Sequence, residues 1–397
     1  MALFPTYLRN EIRPVRGEGV WLWDEGGKRY LDFTSGLGVC NLGHGHPRVR
    51  EALENQASLL WHVSNLFSIP GQEAVANLLK EASHLDYAFF ANSGAEANEA
   101  AIKLARRYGH EHRGTERPEV ITFRSSFHGR TLATLTATGQ EKVQQGCAPL
   151  PEGFVYAQYN DMDSVRMVAG ENTVAVLLEI VQGEGGIRPA DTGFLKELEA
   201  FCREREILLM VDEVQTGMGR TGNLFACRDA GILPDVITCA KGLGNGFPVG
   251  VMLGRRGLKE FFGPGSHAST FGGSPLAMAV VHAVLKELTE TSLLEKSQET
   301  GAYLGNRLKE TLLSHSLVKE VRGKGLMWGV ELDCPAAPLV SHLAHKGLLA
   351  LPAGPEVLRL LPPLIVTKEQ TDIAVEMIVE GLVELEEETA DGCVSRI

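Results

Sequence analysis

Ile207-Leu208-Leu209-Met210-Val211-Asp212-Glu213-Val214-Gln215 is five apolar residues running into two carboxylates. The apolar part has no polar alternation, so both of its faces need cover, as in a buried strand of a parallel sheet. A second stretch repeats the design. Asp235-Val236-Ile237-Thr238-Cys239-Ala240-Lys241-Gly242-Leu243-Gly244 reads as a strand that hands over a lysine. Ligands of open α/β sheets bind outside the carboxyl ends of the strands. Asp212 and Lys241 are therefore candidates for one site. On these two residues alone, a surface lysine and an unrelated strand-end aspartate are the favoured reading.

Outward from this pair the pattern alternates strand and helix from Tyr87 to about Gly254. The expected strands are 87–91, 119–123, 174–180, 207–212, 236–240 and 248–253. Such alternation predicts an α/β fold with a mainly parallel sheet covered by helices. Upstream, residues 20–33 predict a hairpin turning at Asp24-Glu25-Gly26-Gly27, then a glycine-rich loop from Ser35 to Pro47 and helices to about Ser83. Downstream, Ser274-Pro275 suits an N-cap and first helical position, opening a helix to about Thr291. Short strands are expected at 326–332, 347–351 and 357–361. Thr367-x-x-Gln370 reads as a capping box for a last helix that ends in the acidic stretch from Glu384 to Glu388. The expected organisation is an N-terminal segment over 1–60, a large domain over 61–274 and a small α+β domain over 275–397, with no linker between them.

The 397 residues suffice for two or three domains. A formal net charge of -12 argues against nucleic acid or membrane surfaces as general partners, though locally placed arginines can still hold an anion. The seven cysteines (Cys40, Cys147, Cys202, Cys227, Cys239, Cys334 and Cys393) are odd in number and scattered. They predict neither a disulfide framework nor a zinc site. No apolar run is long enough for a membrane span, and the first residues show no apolar signal core. The expectation is a cytoplasmic protein. His44 and His46 are two residues apart without further ligands nearby, so they are read as loop-structuring and no metal is expected.

Phe89-Phe90-Ala91-Asn92-Ser93-Gly94-Ala95-Glu96 is a strand entering a helix, with Ser93 and Glu96 as a second capping box. Gly94 and Ala95 leave the helix tip free of bulk. Its unpaired amides and its dipole make a natural phosphate seat, although the same residues also describe an ordinary capped helix. A phosphate seat with a lysine and a facing aspartate is what pyridoxal phosphate needs: an amine for a Schiff base and a carboxylate to keep the pyridine nitrogen protonated.

Six stretches together resemble the class III (fold type I) pyridoxal-phosphate-dependent aminotransferases. They are Asn92 to Glu99 (NSGAEANE), Ser126 to Thr131 (SFHGRT), Glu179 to Gly186 (EIVQGEGG), Asp212 to Gly222 (DEVQTGMGRTG), Ala240 to Gly246 (AKGLGNG) and Ser269 to Pro275 (STFGGSP). They occur in the family's order and cover nearly the whole chain. Ile180 departs from the pattern, since relatives often carry Pro there. Leu3 to Tyr7, Ser35 to Pro47, Leu60 to Leu66 and Phe127-His128-Gly129-Arg130 are similar to the branch acting on acetylornithine; ornithine-using members tend to have Trp at the position of His128.

The resemblance implies a role for each matched residue. Lys241 forms the Schiff base and Asp212 pairs with the pyridinium nitrogen. Ser93, Gly94 and Ala95 hold the phosphate, and Thr270 reaches a partner subunit's phosphate. Phe127 and Val214 cover the two ring faces, while Glu213 and Gln215 complete the cofactor set, with Gln215 on the ring's 3′ oxygen. Arg130 reads the carboxylate of acetylornithine, with Ser269 beside the substrate. Arg359 reads the α-carboxylate of glutamate, and Glu184 covers Arg359 when the first substrate is bound. Implied with them are a large seven-stranded sheet, a small domain built from the C-terminal part and the N-terminal segment, and a homodimer with shared sites. The implied reaction moves the terminal amine of acetylornithine to 2-oxoglutarate. Class III reactions on ornithine, 4-aminobutyrate or succinyl-diaminopimelate stay open at this point, as does a non-catalytic role in binding the cofactor.

Overall fold

The structure, a computed structural model, describes residues 2–390; Cys393 lies outside the described residues. Near the N-terminus β1 (Pro14–Glu18), β2 (Trp21–Asp24) and β3 (Arg29–Asp32) form an antiparallel meander, so the expected hairpin gains a third strand. Helices α1 (Pro47–Ala57) and α2 (Pro70–Ser83) follow.

The central sheet takes β4 (Tyr87–Ala91), β5 (Glu119–Phe123), β6 (Phe154–Ala157), β7 (Thr173–Glu179), β8 (Leu208–Asp212), β9 (Val236–Cys239) and β10 (Gly250–Gly254). Its order is β4-β10-β9-β8-β7-β5-β6. Only β10 runs antiparallel to its neighbours. All residues of β7, β8, β9 and β10 are buried, which is why these segments are apolar on both faces. Each fully covered Leu, Ile or Val there contributes roughly 1.5–3 kcal/mol. The six expected strands are present. The seventh strand that the resemblance implies is β6, a segment the alternating pattern did not mark.

Helix α3 (Gly94–Glu111) follows β4 and presses Ala97, Ala101, Leu104 and Tyr108 onto the sheet, the stripe its sequence spacing predicts. Helix α4 (Pro275–Glu290) starts where Ser274 Oγ accepts from Ala277 N at 3.3 Å. Beyond it lie α5 (Leu293–Leu312), β11 (Val318–Lys324), β12 (Met327–Leu332), α6 (Ala336–Lys346), β13 (Leu348–Leu349), β14 (Leu351–Pro352), β15 (Val357–Leu360) and α7 (Lys368–Ala390). Strands β11, β12, β15 and β14 form an antiparallel sheet in that order. The short β13 pairs parallel with β3 and so fastens the N-terminal meander to the C-terminal part. The capping box before α7 is formed: Gln370 N donates to Thr367 Oγ1 and Thr367 N to Gln370 Oε1.

His44 donates through Nε2 to the buried Asp32 carboxylate at 2.8 Å, and this bond holds its pKa up at about 9. Its backbone bridges Gly19, so it ties the glycine loop to the meander. Cys40, Cys147, Cys202, Cys227 and Cys239 are free thiols. Among the described residues no helix is long and apolar enough to cross a membrane.

Candidate active site

A cavity of about 410 Å³ opens at the carboxyl edge of the central sheet. The ends of β4, β5, β7, β8 and β9 each feed one wall. Because β10 runs the other way, its entry segment Phe247–Val249 lines the same edge.

Asp212, at the end of β8, is 3 % exposed. Its Oδ2 accepts from Asn98 Nδ2 at 2.7 Å and meets His128 Nδ1 at 2.8 Å; its Oδ1 accepts from Val214 N at 2.9 Å. A carboxylate offers about four acceptor sites, so room for one more donor remains. Lys241 follows β9 with φ 46°, a left-handed backbone rare outside glycine and a form of strain common at functional residues. Burial, and then the charge of Arg359, hold its amine below the ordinary lysine pKa.

Ser93 caps α3 by accepting from Glu96 N at 3.2 Å, while Glu96 turns back to Asn92 N at 2.5 Å. The amides of Gly94 and Ala95 have no intrahelical acceptor and sit at the cavity wall. A Cβ on Gly94 would come within 2.7 Å of Val214 Cγ1, so only glycine lets the helix tip approach that side chain. Phe127, Val214 and Gln215 also line the cavity. The Gln215 Oε1 is buried without a hydrogen-bond partner among the described residues.

Arg130 stands exposed at the cavity, its guanidinium 5.4 Å from the centre of the Phe127 ring. Arg359 on β15 is buried and covered: its Nη1 donates to Glu184 Oε1 at 2.6 Å, and its Nη2 to Pro352 O at 3.2 Å. Glu184 lines the cavity, and Arg359 stands behind it.

One expectation is corrected. Glu213 does not face the cavity. Its carboxylate turns inward to Thr216 Oγ1 at 2.6 Å and Cys227 N at 2.8 Å, because strand alternation sends it to the face opposite Asp212. Ser269 and Thr270 line a separate open cleft of about 940 Å³, together with His62, Asn65 and Gln72. Three buried groups that the sequence reading did not assign to the site stand in it: Asn98, His128 and Glu179.

Fold and site together define a pyridoxal-phosphate enzyme of fold type I. The family model for class III aminotransferases matches residues 6–382, so the chain belongs to that family. It is 50% identical over 384 residues to the acetylornithine aminotransferase of Oceanobacillus iheyensis, covering 97% of this chain and 96% of that one. Among solved structures it resembles an N-acetylornithine aminotransferase from Stenotrophomonas maltophilia at 36% identity and TM-score 0.83, covering 96% and 98% of the two chains. An ornithine aminotransferase of Toxoplasma gondii, crystallised with partial occupancy of the cofactor at its active site, matches at 31% identity and TM-score 0.93, covering 98% and 93%. The cofactor of the present chain is pyridoxal phosphate. Its residues fit that group: a carboxylate with one acceptor site to spare, a buried amine, a helix tip free of bulk and the orphaned Gln215 oxygen.

Proposed function

We propose that this aminotransferase moves the terminal amine of N2-acetyl-L-ornithine to 2-oxoglutarate, giving N-acetyl-L-glutamate 5-semialdehyde and L-glutamate. The observation that carries the distal-amine part of this reading is the asymmetry of the two arginines; the choice of acetylornithine is supported by the 50% identity to an acetylornithine aminotransferase. Arg130 is open, whereas Arg359 is closed by Glu184 at 2.6 Å. A donor that presents its amine at one end and its carboxylate at the other needs Arg130 alone. An α-amino acid needs Arg359, and Glu184 must first leave it. Planar guanidinium forks suit both tasks.

When bound, pyridoxal phosphate supplies the carbonyl carbon and the electron-withdrawing ring. Lys241 offers it an amine more often neutral near pH 7, because burial and Arg359 depress its pKa. With substrate bound, the Lys241 amine would take up and return the proton at the substrate carbon bearing nitrogen. Asp212, steadied by Asn98 and His128, would hold the ring nitrogen protonated. The amides of Gly94 and Ala95 at the Ser93-capped helix tip hold the phosphate; Phe127 and Val214 confine the ring, and Gln215 faces its oxygen substituent.

The same reading makes the enzyme a homodimer in which Ser269 and Thr270 serve the neighbouring site. Its support is an apolar surface around that cleft: Trp61, Leu66, Phe67 and Phe271 are 65%, 92%, 66% and 61% exposed. A cytoplasmic location agrees with the free thiols. The division into 1–60, 61–274 and 275–397 agrees with the central sheet drawing every strand from Tyr87–Gly254.

Single-turnover rates with acetylornithine, ornithine, 4-aminobutyrate and succinyl-diaminopimelate test the substrate assignment. Acetylornithine is expected to convert the bound cofactor much faster than ornithine or 4-aminobutyrate. A faster reaction with either of those two would overturn it.

A further inference from the structure

Glu179 ends β7, directly beside Asp212 in the parallel register. It lines the cavity, yet none of the roles above uses it. Its carboxyl group is spread across two loops. Oε2 accepts from Phe127 N at 3.0 Å, and Oε1 from Gly183 N at 3.4 Å. The first loop carries Phe127 and Arg130; the second carries Glu184, the cover of Arg359. The far side is fixed as well, since Tyr159 donates its hydroxyl to Glu179 O at 2.7 Å. The Gly183 loop has no slack, because a Cβ on Gly183 would overlap the Gln215 side-chain amide.

We propose that Glu179 is a positioning residue that couples the two carboxylate readers, holding the Phe127–Arg130 loop and the Gly183–Glu184 loop in the register that keeps Glu184 over Arg359. The proposal rests on the transaminase reading and deepens it, for it assigns what sets the balance between the two substrate classes. With both amides held, Arg130 is presented and Arg359 is masked, which favours the distal-amine donor. With the Gly183 amide released, Glu184 loses its anchor and Arg359 opens to α-carboxylates.

The surroundings make this coupling responsive to protonation. Around Glu179 stand Asp212 on β8, His128 on the Phe127 loop, Tyr159 after β6, Lys241 after β9 and the Glu184–Arg359 pair across the second loop. Burial pushes the Glu179 carboxyl up to about 7, with the charge of His128 opposing and that of Asp212 adding to the shift. A folded pKa above the unfolded one means that the folded chain binds the extra proton. The associated stability is complete below about pH 4.5 and is lost as pH rises toward 7.

Glu179→Gln tests this. The amide keeps one carbonyl acceptor, for Phe127 N, and sets an NH2 against Gly183 N. The expected result is a KM for 2-oxoglutarate lowered several-fold, a KM for acetylornithine raised several-fold and a much smaller change in kcat. An independent readout is thermal unfolding of the cofactor-free protein. Between pH 4.5 and 7 the wild type should lose stability relative to E179Q, and the variant should show no matching loss. A variant with both KM values unchanged and a stability profile parallel to wild type overturns the proposal. If E179Q does not fold, infrared titration of the wild type decides it: the band of a protonated carboxylic acid should vanish as pH passes about 7, together with a shift in the ratio of the two KM values. A KM ratio constant across that titration overturns the coupling. Loss of acetylornithine turnover in the wild type would instead strike the parent reading, so the two failures are distinguishable.

Discussion

Asn98 gives its whole side chain to the site. Its Nδ2 donates to Asp212 and to the His128 carbonyl, while its Oδ1 accepts from Thr238 at 2.6 Å. Removing it leaves a buried carboxylate short of one charge-assisted partner, a loss of about 1.5–3 kcal/mol. Asn98→Ala is therefore expected to weaken pyridoxal phosphate binding roughly 10- to 100-fold, measured by titrating the cofactor-free protein. An unchanged affinity would show that Asp212 does not depend on this amide. Lys241 and Asp212 were legible in the sequence because each stands at the end of an apolar run. Asn98 and His128 were not, since they act on another side chain and follow no strand-end pattern. The signal for Asn98 was present as a polar residue beside the buried stripe of Ala97, Ala100 and Ala101. Glu213 shows the reverse error: a motif names consecutive residues, but strand geometry turns alternate ones away.

At the scale of elements, α3 does two jobs, presenting its first amides to the cavity and sending Asn98 to Asp212. Gly94→Ala tests the first. Alanine is the better helix former by up to about 1 kcal/mol, so the cofactor-free protein should unfold at nearly the same temperature. The new Cβ would press on Val214 at 2.7 Å and push the helix tip from its seat. The expected outcome is cofactor affinity weakened about tenfold or more, read by the same titration; wild-type affinity would mean that the tip does not set the seat. The buried strands of the central sheet were readable to within one or two residues. The misses were β1, β6 and β11, and the reason is physical. β6 lies at a sheet edge and is mostly half-buried, and β11 is an edge strand carrying Lys319, Glu320, Arg322 and Lys324. These strands are partly exposed on their faces and so lack the continuous apolar signature of the buried ones.

In the whole molecule, a single cavity gathers residues from Val39 to Val249, with Arg359 just behind Glu184. Segments distant in sequence meet because the sheet brings their strand ends to one edge, and because β12 and β15 hold the small sheet against the Gly183 loop. The order of the motifs disclosed this edge, but the distances did not follow from it. Ser269 and Thr270 face another cleft in the same chain, apart from the cavity that holds Lys241 and Asp212. The account depends most on one convergence, that of the cofactor's carbonyl carbon with the Lys241 amine beside Asp212. Borohydride reduction of the pyridoxal-phosphate-loaded protein, followed by peptide mapping, measures it directly. The account predicts one pyridoxyl label per chain, on Lys241, and its loss in Lys241→Ala. A label on any other lysine, or a loaded wild-type protein that takes no label, would contradict it.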